Sequence, residues 1–512
     1  MKKWLAQIKQ NPMPYLAMKL AMIALLVALQ FNWAYTNNFW SDITTRVIAA
    51  VLAGGVLTIA YSRLFVAALA KLTGLDTQAL LSKASLVHLP LLIPFLAAAF
   101  PDKAKVLIVI ALGGFAILVA VLYIIPREKE IKHHMMANAP FFLMLFAIAA
   151  ALGARKIFIP QPSMDTVNWV MPWLNYIKQH GFAAYGDTFT NYAPIYTYML
   201  GIGSLLPLTD LEIIKYISIA FDFMAAWYIY RIIQLRYPAS SIMPALAFTS
   251  FLFLPTVLIN SSFWGQCDII YVAFSLAAMY YLMLADTRRN NLFAMVLYAV
   301  ALSVKLQAML IAPLFAIAWF KRDVKLTDFL LIPGVYIILM VPCLIAGRDF
   351  MDVLLVYFNI VDNNPVLTAN SPNVYQLVGD NFIFNTAGVM VAFGVQAILI
   401  FASVWKLKNK PLGLDITVHL AFLITLTMPF LLPRMHERYF LLAECIALLF
   451  AFYNPRYFYM PLVLGFISFF TYTEFLFAKV FIPFHWLTLA VLALILIVGK
   501  TLLHKLDDGN LQ

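Results

Sequence analysis

Four ionisable side chains lie close together in the octet of residues 432–439, which reads Leu-Pro-Arg-Met-His-Glu-Arg-Tyr. The octet separates two strongly apolar runs, so Arg434, His436, Glu437 and Arg438 are expected at or near a membrane boundary. A charged group at the centre of a bilayer costs about 2.5–3.5 kcal/mol on insertion scales. Ionisable residues in such a position are therefore candidates for function. The structural alternative is a solvated loop between two membrane spans.

The composition is that of a membrane protein. The chain of 512 residues is 63% hydrophobic and only 12% charged, whereas soluble domains carry about 25% charged residues. Apolar runs of about 17–25 residues recur along the whole chain, as transmembrane helices require, and the alternating polarity of outer-membrane barrel strands is missing. We therefore predict an all-α polytopic membrane protein with about 14–16 spans.

The net charge of +11 comes mostly from Lys and Arg residues in the short connections between the apolar runs. Positive residues mark the cytoplasmic side, which places both termini inside and, within residues 136–512, four connections outside. No basic pattern indicates a nucleic acid partner. The outer connections are the first loop (near 155–191), the second loop (near 260–268), the third loop (near 347–380) and the octet. The polar residues of all four are therefore predicted to share the non-cytoplasmic face.

The chain is expected to divide into residues 1–135 and 136–512, because the family resemblance given below covers only the second segment. The first segment has four predicted spans of unassigned role, and the earliest of them is a retained span, because its apolar run is too long for a signal peptide. The charge rule conflicts with three complete spans between residues 192 and 260. One of these segments, with 192–208 as the first candidate, must be short, broken or re-entrant. Residues 291–320 are predicted to form a hairpin that bends at Ser-Val-Lys-Leu-Gln.

The first loop is the longest polar segment and contains a predicted amphipathic helix. Trp169 and Trp173 are typical of anchors at a membrane interface. Asp165 lies at the start of the helix, and the sequence leaves open whether its carboxylate caps the helix or serves a chemical role. The apolar residues that recur at helical spacing are Val167, Val170, Met171, Leu174 and Ile177.

The predicted outer face combines residue types that suit transfer from a lipid-phosphate donor. A carboxylate can act as a general base on a hydroxyl group, arginine binds phosphate through paired hydrogen bonds, and aromatic rings can stack on sugars. The sequence has no P-loop, nucleophile elbow, zinc-protease motif or D-x-D pair for a metal-bound nucleotide. Cys267, Cys343 and Cys445 lie in or beside apolar stretches, which favours burial over metal binding or disulfides.

Several motifs, taken in this order, resemble those of the GT-C glycosyltransferases. The most similar members are bacterial proteins described as mannosyltransferases related to the eukaryotic GPI mannosyltransferase II. The resemblance runs from about residue 138 onward, and Ala193 and Leu306 replace prolines of the pattern. The motifs are Asp165 and Trp169 (D-x-x-x-W), Asn191–Tyr196 (similar to Y-P-P-L-Y), Trp264–Asp268 (W-G-Q-x-D), Lys305–Gln307 (similar to K-P-Q), Ser371–Asn373 and Met435–Tyr439.

The resemblance implies an inverting, mannosyltransferase-like transfer from a polyprenyl- or dolichyl-phosphate sugar to a glycan, lipid or polysaccharide acceptor. It implies Asp165 as the base that deprotonates the acceptor hydroxyl. The implied donor-phosphate residues are Arg434, His436, Arg438 and Lys305. The residues implied to position the sugar or the acceptor are Trp169, Tyr192, Trp264, Gln266, Asp268, Gln307, Asn373, Glu437 and Tyr439.

Some of these implications have alternatives. Gln266 and Asp268 are alternatively braces for the first loop, and Glu437 alternatively orients His436 or the arginines. The expected location is a bacterial cytoplasmic membrane, with the active site on the outer face. No cofactor is implied, and a divalent metal is neither indicated nor excluded.

Two other functions remain open on the sequence alone. A transporter or flippase for a lipid-linked glycan would occupy the same membrane, although the paired interrupted segments of many transporters are not seen in the two halves. A polysaccharide polymerase or ligase would share the outer face and the lipid carrier. Its donor would be a pyrophosphate-linked oligosaccharide. No motif identifies the sugar or the acceptor.

Overall fold

A computed structural model of the chain describes residues 136–507, except 239, 285–286, 358–365, 380 and 409–410. The four spans predicted within residues 1–135, and the role of that segment, lie outside the described residues. The chain divides into two compact units, residues 1–142 and 143–512. Nearly all of the described residues belong to the second unit.

The described part of the chain is helical, and its one sheet is a pair of two-residue strands. The helices are α1 (Ala139–Phe158), α2 (Met171–His180), α3 (Pro194–Gly203), α4 (Asp210–Gln234), α5 (Met243–Leu252), α6 (Pro255–Leu258), α7 (Asp268–Leu284), α8 (Arg288–Val304), α9 (Ala312–Phe320), α10 (Leu331–Ile345), α11 (Phe350–Leu354), α12 (Tyr375–Val378), α13 (Phe384–Leu407), α14 (Leu414–Leu431), α15 (Leu441–Tyr453), α16 (Met460–Phe477) and α17 (Phe484–Asp507). The strands are β1 (Thr368–Ala369) and β2 (Met435–His436). Short 3₁₀ or π turns lie at Thr166–Val170, Gly181–Gly186, Ile259–Trp264, Leu306–Ile311, Leu326–Leu330, Glu437–Phe440 and Pro455–Tyr457.

Seven helices in the described ranges are long and apolar enough to cross a membrane. They are α1, α4, α10 with its preceding turn, α13, α14, α16 with its preceding turn, and α17. An eighth is counted if α5 and the helix Pro255–Trp264, which are bent by 48° at a short break, form one span. The prediction of an all-α polytopic membrane protein is confirmed. The total of about 14–16 spans for the whole chain stays a prediction.

Helix α3 is the first of two irregular segments between residues 192 and 260. Its 10 residues rise only about 15 Å, which is half of the hydrocarbon thickness of about 30 Å. Helix α4 then begins at a capping box formed by Thr209 and Glu212, the usual signal for a new helix start. Segment 192–208 is therefore too short to span, and segment 243–260 is broken between Leu252 and Pro255 by a bend of 48°, so both of them meet the expectation of a short, broken or re-entrant segment.

The hairpin predicted within residues 291–320 is present. Helix α8 ends at Val304, and the backbone of Lys305 is extended, with φ −156° and ψ 134°. A 3₁₀ turn then leads into α9. The chain thus breaks at Lys305 although Leu306 replaces the proline of the resembled pattern.

Helix α14 separates two polar clusters. Its first turn carries Asp415, which pairs with Lys505 at the end of α17 and accepts a hydrogen bond of 3.0 Å from Asn454 after α15. Its last residue, Leu431, leads directly into the octet. The 18 residues of α14 rise about 27 Å, close to the hydrocarbon thickness of a bilayer. The two clusters therefore lie about one hydrocarbon thickness apart.

The amphipathic helix predicted in the first loop is present, as the π turn at Thr166–Val170 and α2. One expectation about it is wrong: Trp173 is buried against the ring of Tyr192 at a centroid distance of 5.1 Å and so does not anchor at a membrane interface. Trp173 follows Val170 by three residues and precedes Ile177 by four, so it lies on the same helical face as these two residues. Val167, in the π turn, is 48% exposed. The predicted face residues that are buried are Val170, Leu174 and Ile177.

A buried ion pair joins α1 to α4. Arg155 Nε lies 2.8 Å from Asp222 Oδ2, and both side chains are fully buried. Ser261 Oγ donates to the same carboxylate oxygen at 2.6 Å. Because Ser261 lies one helical turn before Trp264, this cluster also fixes the start of the second loop.

We expect Asp222→Ala to lower the free energy of unfolding by about 3–5 kcal/mol, because Arg155 is left as an unpaired buried cation. The control is Lys178→Gln, which breaks the partly exposed pair with Asp210 and should cost at most about 1 kcal/mol. Thermal unfolding of the purified protein in detergent measures both variants. Equal losses would contradict the structural role of the buried pair.

Candidate functional site

A short parallel strand pair brings the third loop and the octet together. Strand β1 pairs with β2 so that Ala369 lies opposite His436, and Arg434 N donates to Leu367 O at 2.8 Å. The sequence did not predict this pairing, because two residues are too few to produce a strand pattern. The pairing fixes the octet against a segment about 65 residues earlier in the chain.

Asp268 lies at the centre of the site. It begins α7, where the helix dipole favours a carboxylate, and it is fully buried. Its Oδ1 lies 2.5 Å from Lys305 Nζ. Its Oδ2 lies 3.3 Å from Arg438 Nε, but the two groups are not aligned for a hydrogen bond. The same Oδ2 accepts a hydrogen bond of 3.4 Å from Asn260 Nδ2. Asp268 therefore joins the break after α8 to the octet.

Arg438 is shared between two carboxylates and two aromatic rings. Its Nη1 donates to Glu437 Oε1 at 3.0 Å, while its Nε faces Asp268. Its guanidinium carbon lies 5.4 Å from the ring centroid of Trp264 and 5.7 Å from that of Tyr439, both within the range of cation–π attraction. Glu437 thus contacts Arg438 directly, which matches the orienting role that the sequence left open.

Asp268, Lys305, Glu437 and Arg438 form a neutral cluster, with two carboxylates and two cations. Burial opposes the charge on Lys305, but the carboxylate of Asp268 outweighs it and holds the pKa of Lys305 well above its usual value. Burial raises the pKa of Glu437, and attraction by Arg438 offsets this only in part. Both cations are therefore already paired, and an incoming anion would compete with these carboxylates.

His436 is a neutral imidazole at physiological pH. Burial, together with the nearby charges of Arg438 and Lys305, lowers the pKa of His436 to about 3. The ring packs edge-on against Tyr439 at a centroid distance of 5.2 Å. The contribution of this residue to anion binding is therefore limited to a hydrogen bond.

Arg434 contacts a different neighbour. Its Nε donates to Asn385 Oδ1 in α13 at 3.1 Å, and its guanidinium carbon lies 5.0 Å from the ring centroid of Phe382. Its backbone φ of 61° is rare outside glycine. The contacts of Arg438 lead to α7, whereas these contacts of Arg434 lead to α13. The residues predicted to bind phosphate thus divide between two surroundings.

Asp165 is partly exposed and lies beside the second loop. Its Oδ2 accepts hydrogen bonds from Trp264 Nε1, at 2.9 Å, and from Gln266 Nε2. The carboxylate makes no capping hydrogen bond to the helix that follows it. The geometry therefore argues against the cap and agrees with the alternative in which Gln266 braces the first loop.

A tight turn around Gly265 presents these two donors. Gly265 has a φ of 76°, and a Cβ at this position would lie 2.6 Å from Thr166 Cγ2, so glycine is required both for conformation and for space. Ser218 Oγ on α4 donates to Gln266 O at 2.7 Å and holds the end of the turn. The first and second loops are therefore in direct contact next to Asp165.

The remaining predicted residues occupy different environments. Tyr192 touches the charge cluster, with Lys305 Nζ 5.2 Å from its ring centroid. Trp169 is 57% exposed, as an interfacial anchor would be. Gln307 Oε1 and both polar side-chain atoms of Asn373 are buried, and no described residue forms a hydrogen bond with them.

Three polar residues of the site were missed by sequence reasoning. Ser163 Oγ donates to Trp264 O at 2.6 Å, and Ser218 and Asn260 make the contacts described above. The two serines contact segments far away in sequence, for which residue spacing gives no signal. Asn260 begins the polar run Asn-Ser-Ser within an apolar segment, and this run could have identified it.

We expect Lys305→Met and Asp268→Asn each to destabilise the protein, because each leaves a buried charge with fewer partners. The double variant should lose less than the sum of the two, with a coupling of about 0.5–3 kcal/mol. Thermal unfolding of the four proteins in a double-mutant cycle measures the coupling. The same cycle on the exposed pair Lys406–Asp507 should give a smaller coupling. Additive losses at Lys305 and Asp268 would show that the pair does not contribute to stability.

The comparisons with known proteins assign the chain to no family. No protein-family model matches it, and no curated protein matches it. Within the described residues, no group of three or more His, Cys, Asp or Glu side chains could hold a metal ion. The three cysteines are buried and free, as their apolar surroundings predicted. The resemblance to GT-C glycosyltransferases rests on the sequence motifs alone.

Proposed function

We propose that this protein is a GT-C-type hexosyltransferase of the membrane, which uses a polyprenyl-phosphate sugar as donor. The sugar passes, with inversion, to a hydroxyl group of a glycan, lipid or polysaccharide on the non-cytosolic face. The observation that carries the proposal is the position of a partly exposed carboxylate, Asp165, against the loop that also contributes Asp268 to the buried charge cluster. A base and a pair of cations near one membrane boundary suit this chemistry.

In the proposed reaction, Asp165 accepts the proton of the acceptor hydroxyl. The acceptor oxygen forms a bond to the anomeric carbon from the side opposite the phosphate. The bond between that carbon and the phosphate oxygen breaks, and the polyprenyl phosphate leaves with the electron pair. A positioned general base contributes about 10²–10⁴-fold to such a step.

On the donor side, Arg438, Lys305 and His436 are better placed than Arg434 to contact one phosphate group. Arg438 and Lys305 share Asp268, and the ring of His436 packs against Tyr439 beside Arg438. Both cations are already paired, so a bound phosphate must replace a carboxylate partner. Glu437 is the partner most easily released, because burial raises its pKa and so favours its neutral form.

Asp165→Asn should lower the rate of sugar transfer by about 10²–10⁴-fold, since the amide cannot accept the acceptor proton. The assay measures transfer of radiolabelled sugar from polyprenyl-phosphate mannose, and then from other hexose donors, to acceptors in the membrane extract. Asp187→Asn is the control, because this acid lies in the same loop and accepts a hydrogen bond from Tyr176. Full activity in Asp165→Asn would exclude Asp165 as the base. Translocation of a lipid-linked glycan without a glycosidic product would indicate a flippase instead.

Donor binding should strengthen as the pH falls from neutral. Protonation of Glu437 releases Arg438 for the phosphate, and the raised pKa of Glu437 moves this protonation above the ordinary range of a glutamate, about pH 4.3. At neutral pH, Glu437→Gln should bind the donor with the affinity that the wild type reaches only at lower pH. The donor affinity of this variant should also vary less with pH. Binding of radiolabelled polyprenyl-phosphate mannose to purified protein measures this, with Glu474→Gln as control. A pH dependence that is unchanged in Glu437→Gln would contradict the exchange of partners.

A further inference from the structure

We infer that Trp264 and Gln266 position Asp165 and do not contact the sugar or the acceptor. This inference rests on the proposed function, because it concerns how the proposed base is held. It also replaces the role in sugar positioning that the sequence motif implies for these two residues.

Both donors bind the same oxygen. Trp264 Nε1 and Gln266 Nε2 each donate to Asp165 Oδ2, and no described residue donates to Oδ1. Hydrogen bonds to a charged group are among the stronger ones in proteins, so Oδ2 is held firmly from two directions. Oδ1 is therefore the atom that remains to receive the acceptor proton.

Neither donor offers a surface to a substrate. Trp264 is fully buried, and Gln266 is 5% exposed. The indole stacks on Phe475 at a centroid distance of 4.9 Å and meets Tyr472 edge-on at 5.2 Å. A side chain confined in this way can orient its neighbour but cannot move to follow a bound sugar.

The two loops hold each other in both directions. Ser163, two residues before Asp165, donates from Oγ to Trp264 O at 2.6 Å, while the second loop donates to Asp165 through its side chains. Ser218 fixes Gln266 O from α4. The turn and the carboxylate are therefore located relative to each other by backbone as well as side-chain contacts.

The indole of Trp264 also links the base to the charge cluster. The guanidinium carbon of Arg438 lies 5.4 Å from its ring centroid, while its Nε1 is bound to Asp165. The distance between the base and the cations is thus set through one buried ring. A displacement of about 1 Å between reacting groups can cost about 10²-fold in rate.

The test uses Gln266→Met, which removes the donor and keeps a side chain of similar length, and Trp264→Phe, which removes Nε1 and keeps an aromatic ring. Each should lower kcat by about 10–100-fold while KM for polyprenyl-phosphate mannose and for the acceptor stays unchanged. Trp486→Phe, at a residue that is 60% exposed on α17, is the matched control and should keep full activity. Thermal unfolding checks that the variants are folded. If Trp264→Phe does not fold, the result for Gln266→Met alone decides the test.

A second arm repeats Gln266→Met in the Asp165→Asn background. If Gln266 acts only through the carboxylate, the added change should lower the residual rate no further. A further loss in this background, or a raised KM with unchanged kcat in Gln266→Met, would show that Gln266 contacts a substrate and would overturn the inference. Full kcat in both single variants, with Asp165→Asn inactive, would also overturn it and leave the proposed function standing. Full activity in Asp165→Asn would instead reject the proposed base.

Discussion

A charge buried among membrane helices must be paired, and Asp268 meets this requirement for two cations at once. Lys305 comes from the break after α8 and Arg438 from the octet, and both lie against the carboxylate that begins α7. Removing one member of a buried pair leaves the other uncompensated, which is far more costly than breaking a surface pair. The positions of the hairpin bend, the second loop and the octet are therefore interdependent. The aromatic rings of Tyr192, Trp264 and Tyr439 complete the surroundings of the two cations.

The helices support this arrangement because they hold polar clusters at the two ends of α14. Helix α14 is apolar and almost wholly buried between Asp415 at one end and the octet at the other. At the lower-numbered end, Lys505 and Asn454 fasten α17 and α15 to Asp415. The pair of Arg155 and Asp222 adds a third fixed point between α1 and α4. The loops of the site are thus carried by helices that are themselves tied together, which favours a preorganised site.

Hydropathy and charge predicted the helices, an irregular segment between residues 192 and 260 and the hairpin bend at Lys305, because these features follow from local sequence and from the cost of charge in a bilayer. The W-G-Q-x-D motif marked Trp264 and Gln266 as candidate residues, but the acceptor of their hydrogen bonds, Asp165, lies about 100 residues earlier in the chain, and no spacing rule relates them. The strand pair was too short to produce a pattern. Trp173 lies on the same helical face as Val170 and Ile177, so helical spacing could have predicted its burial. The positive φ of Arg434 is also not indicated by its residue type.

The contact of Gly265 with Thr166 has a consequence for how this protein can change over evolution. A Cβ at position 265 would reach the side chain of Thr166, the neighbour of Asp165, and would push the first loop away from the second. The positive φ of Gly265 and this contact both oppose a larger residue there, so a smaller residue at position 166 would relieve only the contact. The two loops, which are separated by five helices, therefore constrain each other's sequence at this point.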